Sequence, residues 1–305
     1  MPVHLAADKL VGLTEAAGRV ADGALVGLGG GLSARLPMAL VRELVRQGRQ
    51  GLHVIGSAHG ADVDLLAAAG ALRVCEESYV GYEQDFGLAP AFRRAAEHGT
   101  VEVRESCCAT VLAQLRAAEM GLPFLPVRGV TGSDIGRMHP EYGEITCPFT
   151  GERLVAVPAV RPDVVLLHAP LGDRRGNLHL DQPYVLDERF AGASGNVVAT
   201  VERIAASGDV AAAGITIPAY LVAAVAEVPF GAHPTSCYPE YPYDRAHLAD
   251  WVAAAAAGEQ AVAAYLDRYV LGVDEDGYRK AVGADRLQAL RGWSASFGAW
   301  KELLA

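Results

Sequence analysis

Residues 25–40 read LVGLGGGLSARLPMAL: a short apolar run, four glycines within the five positions 27–31, and then a segment of helical character. An apolar strand that turns through glycine into a helix is the opening of a βαβ unit. The pattern continues downstream. LHVIG from Leu52 precedes the helical DVDLLAAAG, LRVCEESYV from Leu72 precedes APAFRRAAEHG, VEVRES from Val101 precedes CCATVLAQLRAAEMG, and FLPVRG from Phe124 closes the series. Short β-rich runs alternating with 3.6-periodic segments predict an α/β fold with an open, mainly parallel sheet flanked by helices.

After a long loop-like insert, residues 129–153, strands resume as LVAVPAV, DVVLLHAP and NVVATVERI, and from about Arg245 the chain reads as helices. Nothing marks a domain boundary, so residues 1–305 are read as one domain with a helical C-terminal extension. Ordered loops as long as the insert are usually functional.

The 305 residues are 51% hydrophobic and 20% charged, enough for a well-filled core. A formal net charge of −10 argues against a nucleic-acid surface, which needs a basic face. No basic region followed by an apolar stretch opens the sequence, so no secretory signal is expected. VAAAGITIPAYLVAAVA from Val210 is barely long enough for a membrane span and is broken by Gly214 and Pro218; a buried strand and helix is the better reading. The five cysteines lack paired or zinc-like spacing, and Cys107 and Cys108 are expected to be small buried residues. Reduced cysteines suit the cytoplasm. No histidine pair has metal-ligand spacing, so no metal is expected.

Such a glycine run lets backbone pass close to something. GGGLSA satisfies the dinucleotide pattern, but the second strand ends without the acidic residue that would hold a ribose. A P-loop is excluded by the absence of a Gly-Lys-Ser/Thr sequence. Beside the dinucleotide reading stand a tight turn needing glycine for positive φ, or backbone N–H groups aimed at a reacting carbonyl oxygen.

Glu105 falls where the strand VEVRES ends and its helix begins, on the carboxyl edge where parallel sheets bind ligands; its plain alternative is a partner for the helix dipole. In the same strand Glu102 and Arg104 alternate with Val101 and Val103, and the valines are expected to be buried. Arg128 ends the strand after the helix and is expected on the same edge, beside Glu105, with Ser133 and Asp134 in the loop that follows. Ser57 and His59, in GSAHGAD, and His233, in FGAHP, lie in glycine-flanked loops suited to binding. His168 ends the apolar run VVLLH and reads as a satisfied core histidine. The hydrolase elbow G-x-S-x-G is absent.

Taken in order, the glycine run with LPMA, GADVDLLAAAGALRV, GLPFLPVRGVTGSDI, HAPLGDRRGN, VVATVERI and ITIPAYLVAAVAEVPFGAHP resemble the A-type subunit of family I CoA-transferases, with kinship to the α subunit of steroid ring-opening CoA-ester hydrolases. The resemblance runs from about Leu25 to His233. It implies a half-enzyme that pairs with a B-type subunit, with the active site between them. It implies coenzyme A as co-substrate, no tightly bound cofactor, and covalent transfer through a glutamate that attacks the thioester. In the transferases that glutamate belongs to the B-type subunit, and its sequence context is not found here; Glu76, Glu77 and Glu83 lack the expected small residues after them.

Two readings stay open: transfer of CoA between an acyl-CoA and a carboxylate, or a hydrolase in which Glu105 is the base and Arg128 orients an anionic group. A third is a non-catalytic subunit that only shapes the pocket. Under the resemblance the catalytic candidates are Glu105 and Arg128. The oxyanion or substrate-binding candidates are Gly29, Gly30, Gly31, Ser33, Ser57, His59, Ser133 and Asp134. The loop around residues 136–151 is the expected selector of the acyl group.

Overall fold

The computed structural model describes residues 8–182 and 184–295. Seven parallel strands form its central sheet: β1 (Leu25–Leu28), β2 (Leu52–Ile55), β3 (Leu72–Glu76), β4 (Glu102–Val103), β5 (Val164–Asp173), β6 (Val197–Ala205) and β7 (Val222–Glu227). Their spatial order is β7-β6-β5-β1-β2-β3-β4, and Leu178–His179 adds an antiparallel strand along the end of β5. The chain therefore winds outward from β1 to β4, crosses back, and starts again beside β1. Val26 faces Val54 on one side and Val164 on the other. All ten residues of β5 are buried, as a central parallel strand covered on both faces requires.

Helices α1 (Met38–Arg46), α2 (Ala61–Ala68) and α3 (Pro90–Glu97) cover one face of the sheet with α6 (Arg245–Ala257); α4 (Cys108–Glu119) and α5 (Asp187–Ser194) cover the other. The first core contains Leu40, Leu44, Val54, Val63, Leu66 and Trp251; the second contains Val111, Leu115, Val165, Leu167 and Phe190. The expected C-terminal helices are present as α6, Glu259–Leu266, Glu275–Val282 and Ala284–Ala295. Buried Arg42 of α1 binds them through a bidentate ion pair to Glu275, and holds the loop before them through a 2.8 Å bond to the carbonyl of His233. Arg46 reaches the same carboxylate at 3.1 Å.

Four expectations are corrected. Phe124–Val127 does not close the main sheet; it pairs antiparallel with Arg153–Pro158, which also pairs with Gly143–Thr146, in a separate three-stranded flap. The insert of residues 129–153 thus carries a short helix at Ile135–Met138 and the strand Gly143–Thr146, joined by turns. Strand β4 is only two residues long and Val103 is exposed, because an edge strand has a neighbour on one side alone. Cys108 is exposed and Cys107 half-buried, at the start of α4 rather than inside it. The run from Val210 divides into the end of a helix, Ser207–Ala213, and strand β7. Among the described residues no helix is long and apolar enough to cross a membrane.

Candidate functional site at the carboxyl ends of β1 to β4

The glycine run leaves β1 at the point where the winding reverses, the customary place for a ligand in such sheets. Here the chain fills that place itself. A Cβ at Gly29 would collide with Leu167, and Gly30, with φ of +74°, lies against the carbonyl of Ala34. The amides are also taken: Gly29 donates to Leu166 O at 3.0 Å, Gly30 to Asp187 Oδ1 at 2.9 Å, Gly31 to Ala34 O at 3.0 Å, and Leu32 to Ala58 O at 2.9 Å. The run is a close-packed turn held by a buried carboxylate, and Arg35 pairs with that same Asp187 at 3.1 Å. The carbonyl of Ser33 accepts from the amide and hydroxyl of Ser236, and Ser33 lines a shallow cleft with Tyr82 and Tyr243.

One strand further along, the ends of β2 and β3 carry a buried ionisable cluster. His59 is 1% exposed; its Nδ1 lies 2.6 Å from Asp62 Oδ2, and its Nε2 has no hydrogen-bond partner. Burial works against its charge, but Asp62 and Glu77 carry its pKa up to about 9. Glu77 is buried as well, and neither carboxyl oxygen has a partner. Burial pushes it up to about 8 against the pull of His59. The two shifts are coupled and both hold protons in the cluster: the carboxylates around it favour the imidazolium of His59, and burial favours the acid form of Glu77. Asp187 also contributes to raising His59, so the glycine turn and this cluster share one electrostatic neighbourhood.

The short parallel pairing of Ala58–His59 with Tyr79–Val80 extends the ends of β2 and β3 past the main sheet. Ser57 enters through its carbonyl, which accepts from the amide and hydroxyl of Ser78, and Ser78 Oγ also sits 2.9 Å from Cys108 Sγ. Glu77, Ser78, Val103 and Glu105 line one groove of about 320 Å³, with Leu88 and Phe92 opposite. Glu105 is exposed on the rim. Its carbonyl accepts a 3.0 Å bond from the Nε2 side of buried His139, whose ring stacks on Tyr142 at 4.5 Å. The flap is thereby pinned to the strand end that carries Glu105.

Arg128 is not beside Glu105 in a shared sheet edge. It is exposed on the flap and makes a bidentate pair with Glu152 at 2.7 Å for both bonds. Ser133 bonds Val130 O, and Asp134 pairs with Arg137 within the flap's own turn. His168 is a satisfied core histidine, bonded to Thr200 and Glu202. His233 is one too, bonded to Tyr278 at 2.7 Å and Asp244 at 3.1 Å, rather than a binding residue. His168, Glu202 and Cys237 approach within 4.8 Å of one another. Glu202 already accepts from His168, Tyr241, Phe230 and Gly231, which makes the group a hydrogen-bonded strut.

The profile described as Coenzyme A transferase matches residues 12–228. This chain belongs to the coenzyme A transferase family. The A-type subunit of 3-oxoadipate CoA-transferase from Pseudomonas knackmussii is 33% identical over 88% of the chain and 95% of its own length. The cholesterol ring-cleaving hydrolase IpdA subunit of Rhodococcus jostii is 33% identical over 90% of the chain and 96% of its own length. A longer Archaeoglobus fulgidus protein is 34% identical over 93% of the chain, which spans 65% of its length. Among solved structures, glutaconate coenzyme A-transferase from Acidaminococcus fermentans superposes with a TM-score of 0.87 at 29% identity, covering 93% of this chain and 95% of the other.

Within the family frame, Glu77 is the functional candidate that the sequence hides. The residues after it do not match the context expected of the family's nucleophile, and no other role is written in its immediate context. The available signal is CEES at the carboxyl end of an apolar strand, opposite GSAHG at the end of the strand beside it.

Proposed function

We propose that this chain is the A-type half of a CoA-transferase that moves coenzyme A between an acyl-CoA thioester and a carboxylate, with a B-type partner completing the site. The observation that carries the reading is the near full-length correspondence to glutaconate coenzyme A-transferase in fold, 93% and 95% of the two chains. Coenzyme A is the co-substrate. The nucleophilic glutamate comes from the partner, and this chain contributes Glu105 at the groove rim. Arg128 sits on the flap in an exposed ion pair, and such pairs are worth about 0–1 kcal/mol, so its guanidinium is free to exchange Glu152 for an anionic group of the substrate. The satisfied amides of Gly29, Gly30 and Gly31 give the glycine turn a supporting part: it fixes Asp187 and, through it, the field at His59. The free cysteines fit a cytoplasmic enzyme.

The test is made on the complex isolated with its partner. Acyl-CoAs, acetate and a dicarboxylate are supplied in ¹⁸O-labelled water and the products read by mass spectrometry. New CoA esters of the added acids are expected, with Glu105→Ala lowering their rate by at least about a hundredfold if the carboxylate acts in proton transfer. Free CoA with ¹⁸O in the released acid, and no new ester, would replace transfer with hydrolysis. That second reading has support in the 33% identity to the ring-cleaving hydrolase subunit, which equals the identity to the 3-oxoadipate transferase subunit. Turnover that survives Glu105→Ala unchanged would leave this chain a scaffold.

A further inference from the structure

In the wall of the groove that Glu105 shares lies a buried acid that nothing among the described residues satisfies. Glu77 lines the groove and is 5% exposed, and both of its carboxyl oxygens lack a partner. Leaving a buried polar group unpaired costs about 1–3 kcal/mol, and folded proteins seldom keep one without a use for it. The local fold enforces the placement. Ser78 donates its amide to Ser57 O, which draws residues 76–78 against the end of β2. Glu77 is laid over Gly56, where a Cβ would overlap its carboxyl. The ring of His59 stands nearby, with its Nε2 also unpaired and its other nitrogen fixed by Asp62.

We propose that Glu77 and His59 form a subsite for one carboxylate oxygen of the acid that exchanges CoA, with Glu77 donating its O–H to that oxygen and His59 supplying the positive potential behind it. The proposal deepens the transferase reading and rests on it for the identity of the ligand as a carboxylic acid. The chemistry of the cluster selects the class. A cation would meet the imidazolium, and an apolar group would leave the orphaned atoms unpaired. A carboxylate instead finds a neutral acid as donor and a net attraction. Glu77 is the group in contact with the ligand; His59 is a positioning residue, because it is 1% exposed and acts from behind. The other groups that bear on Glu77 are Asp62, Glu76 and Cys108, all of which favour its acid form, and Glu105 shares the groove.

An anion bound against Glu77 requires the acid to stay protonated, so binding and proton uptake are linked. The experiment measures binding of acetate and of glutarate to the intact complex by calorimetry across neutral and alkaline pH. Above about pH 8, where Glu77 loses its proton, affinity is expected to fall by about tenfold per pH unit. Glu77→Gln keeps an N–H donor and removes the titration of residue 77. Any remaining decline should follow His59, which then discharges below its wild-type value of about 9 because one of the charges that raise it is gone. Glu77→Leu should lose about tenfold or more at neutral pH, while melting no lower than the wild type because an unsatisfied carboxyl has gone. Equal binding by the wild type and Glu77→Leu would overturn the subsite, as would an affinity flat across the pH range or no binding of either acid. CoA transfer is assayed in parallel. Its absence, alongside Glu77-dependent acid binding, would overturn the transferase reading and leave the subsite standing.

Discussion

Glu77 and His59 are both buried and electrostatically coupled, and each alters how the other takes up a proton. The carboxyl of Glu77 moves from an ordinary 4.5 to about 8, burial being the main cause. An acid whose pKa rises on folding stabilises the native state fully below its unfolded value, and that contribution is lost as pH climbs through the folded value. His59 moves from 6.5 to about 9, with Asp62 and Glu77 overcoming burial. Its contribution is intact below 6.5 and gone above about 9. Both windows slope the same way, so resistance to urea should decline between pH 4.5 and about 9 in two overlapping stages. Denaturation midpoints measured across that range should lose the decline between pH 4.5 and 6.5 in Glu77→Gln, leaving only that of His59. His59→Gln should instead keep the decline of Glu77, extended past about 8 because the imidazolium that lowers it has gone. A parallel decline in all three proteins would mean that other groups govern the alkaline limit.

At the scale of elements, the C-terminal helices are joined to the sheet-facing helix α1 by a buried ion pair. Burial pushes Glu275 up, and Arg42 with Arg46 nonetheless draws its carboxyl below the usual range. Removing one partner strands the other charge in the interior, at a cost of about 3–5 kcal/mol. Arg42→Met should therefore lower the melting temperature markedly, and the double variant Arg42→Met/Glu275→Leu should recover much of the loss. Additive losses would show that Arg42 is needed mainly for its 2.8 Å bond to the carbonyl of His233.

The elements also show where sequence is a sufficient guide. Strong alternation of apolar runs and 3.6-periodic segments marks β1 to β3, β5, β6 and helices α1 to α4, because their burial is written in local pattern. Phe124–Val127 misleads for a reason that is itself legible: Pro126 has no N–H to give, so the segment belongs on an edge. It is indeed an edge strand of the flap. The displacement of Arg128 from Glu105 follows from that one misplacement. Glu77 is illegible for the opposite reason. Its burial depends on Tyr79–Val80 pairing with Ala58–His59, a contact between chain segments about twenty residues apart that neither segment announces. The glycine run does signal a close approach, but what approaches is Leu167 and Asp187, both more than a hundred positions away.

Over the whole molecule, the strand order sets a timetable for synthesis. β1 lies in the middle of the sheet, yet its partner on one side, β5, is encoded far later: Val26 meets Val164. At 5–20 residues per second, a ribosome takes roughly 7–28 s to supply the missing neighbour after β1 has been made. During that interval β1 to β4 can assemble on the nascent chain, with α1 to α3 against one face, while β1 presents an open hydrogen-bonding edge to its surroundings. Force-sensitive arrest peptides placed at increasing chain lengths should register a first pull after β4 and α4 emerge and a second after β7. A single pull at full length would mean that no half forms ahead of the other. The reversal of winding that creates a cleft in such sheets thus also creates a waiting period, in which that edge stays open to pairing with another of its kind.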